Sequence, residues 1–220
     1  MSLHIASYID HTILQPAATA ADIEKLCSEA ATMHFAAVCV PPCYVSKAKA
    51  LLSGSRVHVA TVIGFPFGYN STQSKLQEIE DAIAAGADEL DMVHNITAVK
   101  NRYWPYNLNQ VQAATELAHA SGRIIKVIIE TGLLTDEEIM KCCEIYGACN
   151  IDFMKTSTGY ANAGATVHAV ELMRKHLPAH IAIKASGGIR TFTFAKELID
   201  AGASRLGCSA SMQIVKESNE

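Results

Sequence analysis

Three stretches of this chain repeat one pattern: an amphipathic segment, a glycine, then an apolar run. AAGADELDMV, YGACNIDFMKTS and DAGASRLGCS place Gly86, Gly147 and Gly202 where the residue after a helix belongs, shortly before a strand. The segments ahead of them read as helices. Leu76, Ile79 and Ile83 share one face of the first. Thr135 with Glu138 forms a capping box for the second, whose apolar stripe is Ile139, Cys142 and Tyr146. Thr191 can cap the third, which buries Ala195, Leu198 and Ile199.

The same alternation runs through the whole chain. Strands are expected near 8–11, 35–40, 57–63, 89–94, 124–130, 152–156, 181–185 and 204–207. Helices are expected near 20–33, 43–52, 72–85, 107–121, 135–146, 164–177, 191–201 and 209–216, with 100–110 a loop. The strands are short, rich in β-branched residues and mostly apolar on both faces, as parallel strands covered by helices are. Eight such units favour a single-domain α/β fold over residues 1–220, a closed (β/α)8 TIM barrel; an open doubly wound sheet is the alternative. No Pro/Gly/Ser-rich linker marks a second domain.

Composition narrows the function. Half of the residues are hydrophobic, so a sizeable core can form, and the net charge of −4 comes without a basic block. Nucleic acid and membrane surfaces are therefore not expected partners. The start, MSLHIASYIDHT, lacks the basic region and apolar run of a secretory signal. No stretch approaches the ~20 apolar residues of a membrane span. Seven scattered cysteines, an odd number, read as reduced thiols of a cytoplasmic protein.

In a barrel, chemistry gathers at the C-terminal ends of the strands. Those ends carry Asp10 and His11, Cys39, Gly64, Asp91 and His94, Glu130, and residues 155–158, 184–188 and 207–209. Lys155 and Lys184 stand out, because an ammonium closing a buried strand costs free energy. One such lysine reads most simply as snorkelling to the rim. Two on adjacent strands, each followed by small residues, point to function. Burial and a neighbouring cation both lower an amine's pKa, leaving a neutral nucleophile that can form a Schiff base. Asp91 should face inward with Glu89 and Val93; it can move protons or simply pair a lysine. Gly187, Gly188, Gly207 and Ser209 form two loops suited to an anion, with Ser209 opening a short helix. Ordinary turns and a serine cap are the plain alternative. No CxxC, HxH or HExxH is present, and Pro178 separates His176 from His180, so no metal site is expected. The absence of GxGxxG and Walker loops speaks against nucleotide cofactors. Cys39 reads as a small hydrophobe.

The ordered segments IDHTIL, VCVPPCYV, VATVIGFPFG, GADELDMVHN, KVIIETGLLT, DFMKTSTGY and KASGGIRT closely resemble the class I deoxyribose-phosphate aldolases, from about residue 8 to residue 215. The resemblance implies a (β/α)8 barrel that needs no cofactor. It implies reversible cleavage of 2-deoxy-D-ribose 5-phosphate to D-glyceraldehyde 3-phosphate and acetaldehyde, in deoxyribose phosphate catabolism. It further implies Lys155 as Schiff-base former, Lys184 as its electrostatic partner and Asp91 as the proton relay. Gly187, Gly188, Gly207 and Ser209 would cradle the phosphate, Asp10 would lie near the substrate hydroxyls, and the enzyme would be a homodimer. The chain departs from the family pattern at Gln15, at His94 and Thr97 beside the catalytic strand, in YANAGAT after KTSTG, and at Ala210. These changes touch substrate contacts and leave the lysines and Asp91 in place. A phosphosugar isomerase or epimerase and a non-catalytic phosphosugar-binding barrel are the rival readings.

Overall fold

The computed structural model describes residues 4–219, and its eight parallel strands close into one barrel in chain order. The strands are β1 (Ile9–Thr12), β2 (Ala37–Val40), β3 (His58–Ile63), β4 (Glu89–Val93), β5 (Ile124–Ile128), β6 (Phe153–Lys155), β7 (Ala182–Ser186) and β8 (Arg205–Cys208). Each pairs with its sequence neighbours, and β1 pairs with β8. The barrel expectation therefore holds and the open sheet does not.

Among the described residues nine α-helices surround the strands: α1 (Ala20–Met33), α2 (Val45–Leu51), α3 (Thr72–Ala84), α4 (Ile96–Lys100), α5 (Trp104–Ala120), α6 (Asp136–Gly147), α7 (Val167–His176), α8 (Phe192–Asp200) and α9 (Ser211–Ser218). Their starts follow from local chemistry. Thr135 and Glu138 form the expected reciprocal capping box of α6, and Thr191 caps α8. The stripe Ile139, Cys142 and Tyr146 is buried against the strands, as are Ala195 and Leu198.

Three expectations needed correction. Gly86 and Gly202 take the positive φ of a helix stop, but Gly147 ends α6 as a helical residue, and Asn150 takes the left-handed turn at φ 54°. The segment 100–110 is not a loop: α4 ends at Lys100, and α5 opens at Trp104 with Pro105 in its first turn, where no N–H is needed. Ser209 does not open the last helix. Ala210 precedes Ser211 there, without a side-chain cap.

The sheet has two unlike faces. Ile9, Val38, Val59, Leu90, Ile125, Val127, Met154, Ile183 and Leu206 belong to the large core between strands and helices. The inward positions instead carry Asp10, Glu89, Asp91, Lys126, Lys155, Lys184 and Arg205, with a small apolar patch of Ala37, Cys39, Ala60 and Val62.

Candidate active site

The strand register gathers the inward charges. Asp91 lies beside Lys126 on β5, Lys155 beside Lys184, and Lys184 beside Arg205. Asp91 is the hub. Its Oδ1 accepts from Lys126 Nζ at 2.7 Å. Its Oδ2 accepts from Lys155 Nζ at 2.8 Å and from Lys184 Nζ at 2.7 Å. Lys184 has a second carboxylate, Asp10 Oδ2, at 2.5 Å. Arg205 binds Asp10 Oδ1 at 2.6 Å, and Glu89 takes Lys126 at 2.5 Å and His58 at 2.9 Å.

Three carboxylates, Asp10, Glu89 and Asp91, thus face four cationic side chains, Lys126, Lys155, Lys184 and Arg205. Charge balances inside the barrel when one of the four is neutral. Lys155 is the one whose only carboxylate oxygen is shared. Burial lowers its pKa against the pull of Asp91, and the ammonium of Lys184 lowers it further. Burial pushes Lys184 the same way, but Asp10 and Asp91 outweigh it and raise its pKa. Burial alone would raise the Asp91 carboxyl; the ammonium groups of Lys126, Lys155 and Lys184 hold it well below the usual range.

Lys155 closes the short strand β6 and opens onto a cavity of about 890 Å³ at the C-terminal end of the barrel. Gln15, Tyr160, Ser186, Gly187, Gly188, Gly207 and Ser209 are among its lining residues, so the expected anion loops and the lysine share one space. Gly187 and Gly188 have φ of +89° and +79°. Gly187 also lies so close to the preceding loop that a Cβ on Gly164 would sit 2.2 Å from its carbonyl oxygen, which accepts from Ala165 N–H at 3.1 Å. The YANAGAT segment therefore supports the anion loop.

Other residues lie elsewhere than the sequence suggested. Asp10 does not line the cavity: fully buried, it has both oxygens engaged by Lys184 and Arg205. His94 turns away from the barrel interior to meet Tyr146 of α6 at 2.9 Å, and burial pushes its pKa down to about 3. Thr97 lies on α4. Cys39, by contrast, is the small hydrophobe expected: it is buried within the interior patch, and burial pushes its thiol up to about 11, which keeps it protonated.

Lys126, Arg205 and Arg190 were missed. Lys126 interrupts IIKVII in mid-strand, the same signal that singled out Lys155. Arg190 follows the glycine pair and lines the cavity. Glu130 sits at φ 54°, and its Oε2 accepts from both the N–H and the hydroxyl of Thr158, tying the loop after β6 to the loop after β5. Burial raises the Glu130 pKa. Among the described residues no group of His, Cys, Asp and Glu is arranged to hold a metal ion, and no helix is long and apolar enough to cross a membrane.

Residues 4–212 match the family described as DeoC/LacD family aldolase. The chain belongs to that family. It is 45% identical over 219 residues to the deoxyribose-phosphate aldolase of Thermoanaerobacter pseudethanolicus, covering 99% of this chain and 98% of the relative. It is 48% identical over 214 residues to that of Desulfitobacterium hafniense strain DCB-2, covering 97% and 98%. The tetrameric deoxyribose phosphate aldolase structure from Aeropyrum pernix superposes with a TM-score of 0.92 at 31% identity, covering 98% of this chain and 91% of that one. In an aldolase, a neutral amine beside a carboxylate and a second ammonium is equipped for carbonyl addition and proton transfer.

Proposed function

We propose that this aldolase cleaves 2-deoxy-D-ribose 5-phosphate reversibly to D-glyceraldehyde 3-phosphate and acetaldehyde. The carrying observation is the unequal pairing of the two lysines: Lys184 holds two carboxylates, whereas Lys155 shares one oxygen and opens to the cavity.

Neutral Lys155 Nζ adds to C1 of the open-chain sugar, and loss of water gives the iminium. The C2–C3 bond then breaks, and its electrons flow into the iminium to leave an enamine. The C3 hydroxyl gives up its proton and becomes the aldehyde of glyceraldehyde 3-phosphate. Protonation of the enamine carbon and hydrolysis release acetaldehyde and restore the amine. Asp91 relays the protons, because one of its oxygens bridges the Nζ atoms of Lys155 and Lys184. Asp10 keeps Lys184 charged, which in turn favours the neutral form of Lys155. The phosphate is held by Gly187, Gly188, Gly207 and Ser209, joined by Arg190, which anchors the remote end and orients C1. We further assign the enzyme to the cytoplasm, in keeping with seven unpaired cysteines, and to a homodimer.

Borohydride reduction with acetaldehyde, followed by peptide mass mapping, tests the assignment. The label should map to the peptide bearing Lys155; its absence, or its appearance elsewhere, would sink it. Turnover should be much faster with deoxyribose phosphate than with deoxyribose, and equal rates would remove the phosphate role. Sedimentation of a monomer would remove the dimer.

A further inference from the structure

Besides the anion loops the cavity is lined by apolar groups, among them Ile13, Leu14 and Tyr160, for which a phosphate does not account. The anion loops and Arg190 follow β7 and β8. In an eight-stranded barrel β6 faces β2, so Lys155 points across the interior toward Cys39. The charges of Lys155, Lys184 and Asp91 all reach the Cys39 thiol. On that side lies the buried patch of Ala37, Cys39, Ala60 and Val62, with Leu14 and Phe65 packed onto it; of these Leu14 lines the cavity, together with Tyr160.

Leu14 and Phe65 are held in place by polar contacts. The Tyr160 hydroxyl donates to the Leu14 carbonyl at 2.8 Å, joining the loop after β6 to the loop after β1 across the mouth. The same ring meets Phe65 edge-on, with centroids 5.4 Å apart at 88°. The loop carrying Phe65 is pinned at both ends by α3. Glu78 accepts from Gly64 N–H at 2.6 Å, and Lys75 Nζ donates to the Gly68 carbonyl at 2.6 Å. Lys75 is fully buried and gives two further hydrogen bonds, to the Val93 carbonyl and to Gln110 Oε1, both at 2.7 Å. An ammonium has three hydrogens, and here each is committed to a different segment. Phe65 therefore has a fixed base, and Tyr160 fixes its tip.

We propose that Phe65, Leu14 and Tyr160 form a rigid apolar roof that sets which aldehyde Lys155 accepts as carbon donor, admitting a two-carbon aldehyde and resisting a longer one. The inference rests on the Schiff-base reading of Lys155. One methylene in an apolar pocket changes rates by about 10–200-fold, so a roof of this kind can discriminate between acetaldehyde and propanal.

The test is the rate of borohydride-trapped label on the full chain with acetaldehyde or propanal, with no phosphorylated partner present. The unaltered protein should favour acetaldehyde by on the order of tenfold or more. Phe65→Ala should bring the two rates to within about threefold. Tyr160→Phe removes only the hydroxyl staple and should lower the ratio by about threefold, leaving the ring edge in contact. Phe65→Leu, which keeps an apolar side chain, is the second variant should the alanine form fail to fold; it should also lower the ratio. Variants in which both rates fall together at constant ratio would overturn the proposal, since a purely structural role predicts that result. No discrimination in the unaltered protein would also overturn it. No label with either aldehyde would remove the Schiff-base reading, and the roof with it.

Discussion

The two faces of the barrel sheet are packed by opposite rules. Outside, Leu90, Ile125, Val127 and Ile183 are fully covered by helices, and that burial drives folding at roughly 25 cal/mol per Å² of apolar surface. Inside, Asp10, Asp91, Lys126 and Lys184 are just as buried. Taking those charges out of water costs several kcal/mol per ion before pairing offsets it, so an apolar interior would serve stability as well or better. The outer face holds the barrel shut, and the inner face uses the rigidity so obtained to hold ions at distances chemistry needs.

Lys155→Met tests this division most severely. It should lower kcat by about 10⁴-fold or more while shifting unfolding stability by only about 1 kcal/mol, because a neutral amine leaves no stranded charge behind. Steady-state turnover and urea titration read the two halves; a stability loss of several kcal/mol would mean that Lys155 is charged in the resting fold. Asp10→Asn should cost about 3–5 kcal/mol in the same titration, since Lys184 and Arg205 each lose a carboxylate. It should also let the borohydride label spread onto Lys184. Label confined to Lys155 would show that Asp10 does not distinguish the two amines. On the outer face, Leu198→Ala on α8 should cost about 2–5 kcal/mol by opening a cavity, with kcat unchanged below the unfolding temperature.

The smallest effect is in the pH profile. The pKa of Lys155 lies below its ordinary 10.5, lowered by burial and by Lys184. Labelling should therefore rise with pH through a midpoint below that value, as the amine loses its proton. In Lys184→Met a repelling cation is gone and Asp91 has one fewer partner, so both changes favour the charged form of Lys155. The midpoint should move to higher pH; a downward shift would reverse the assigned role of Lys184.

Much of the fold was legible because its signals are local. The Thr135–Glu138 box, the Thr191 cap and the glycines at 86 and 202 each act within a few residues, and all appear as expected. The failures were local rules overruled by position. Gly147 remains helical while Asn150 makes the turn, and Pro105 begins a helix rather than interrupting one. His94 turns outward to Tyr146, a partner 52 residues away.

By itself the sequence determined an eight-unit barrel, two inward lysines on neighbouring strands and glycine loops beside them, because periodicity and turn chemistry depend on near neighbours; Lys155 ends β6 as expected, whereas Lys184 lies in the middle of β7. It could not rank the lysines by spacing. Ranking came from resemblance, and its physical basis lies in a residue 174 positions from Lys184: Asp10 comes within 2.5 Å of that amine only when the first strand meets the last. Barrel closure likewise brought Arg205 to Asp10, while the pairing of β4 with β5 brought Lys126 to Asp91, and together they set the balance of charge in the interior. An amine's pKa depends on every charge within several ångströms, and those neighbours exist only in the folded barrel.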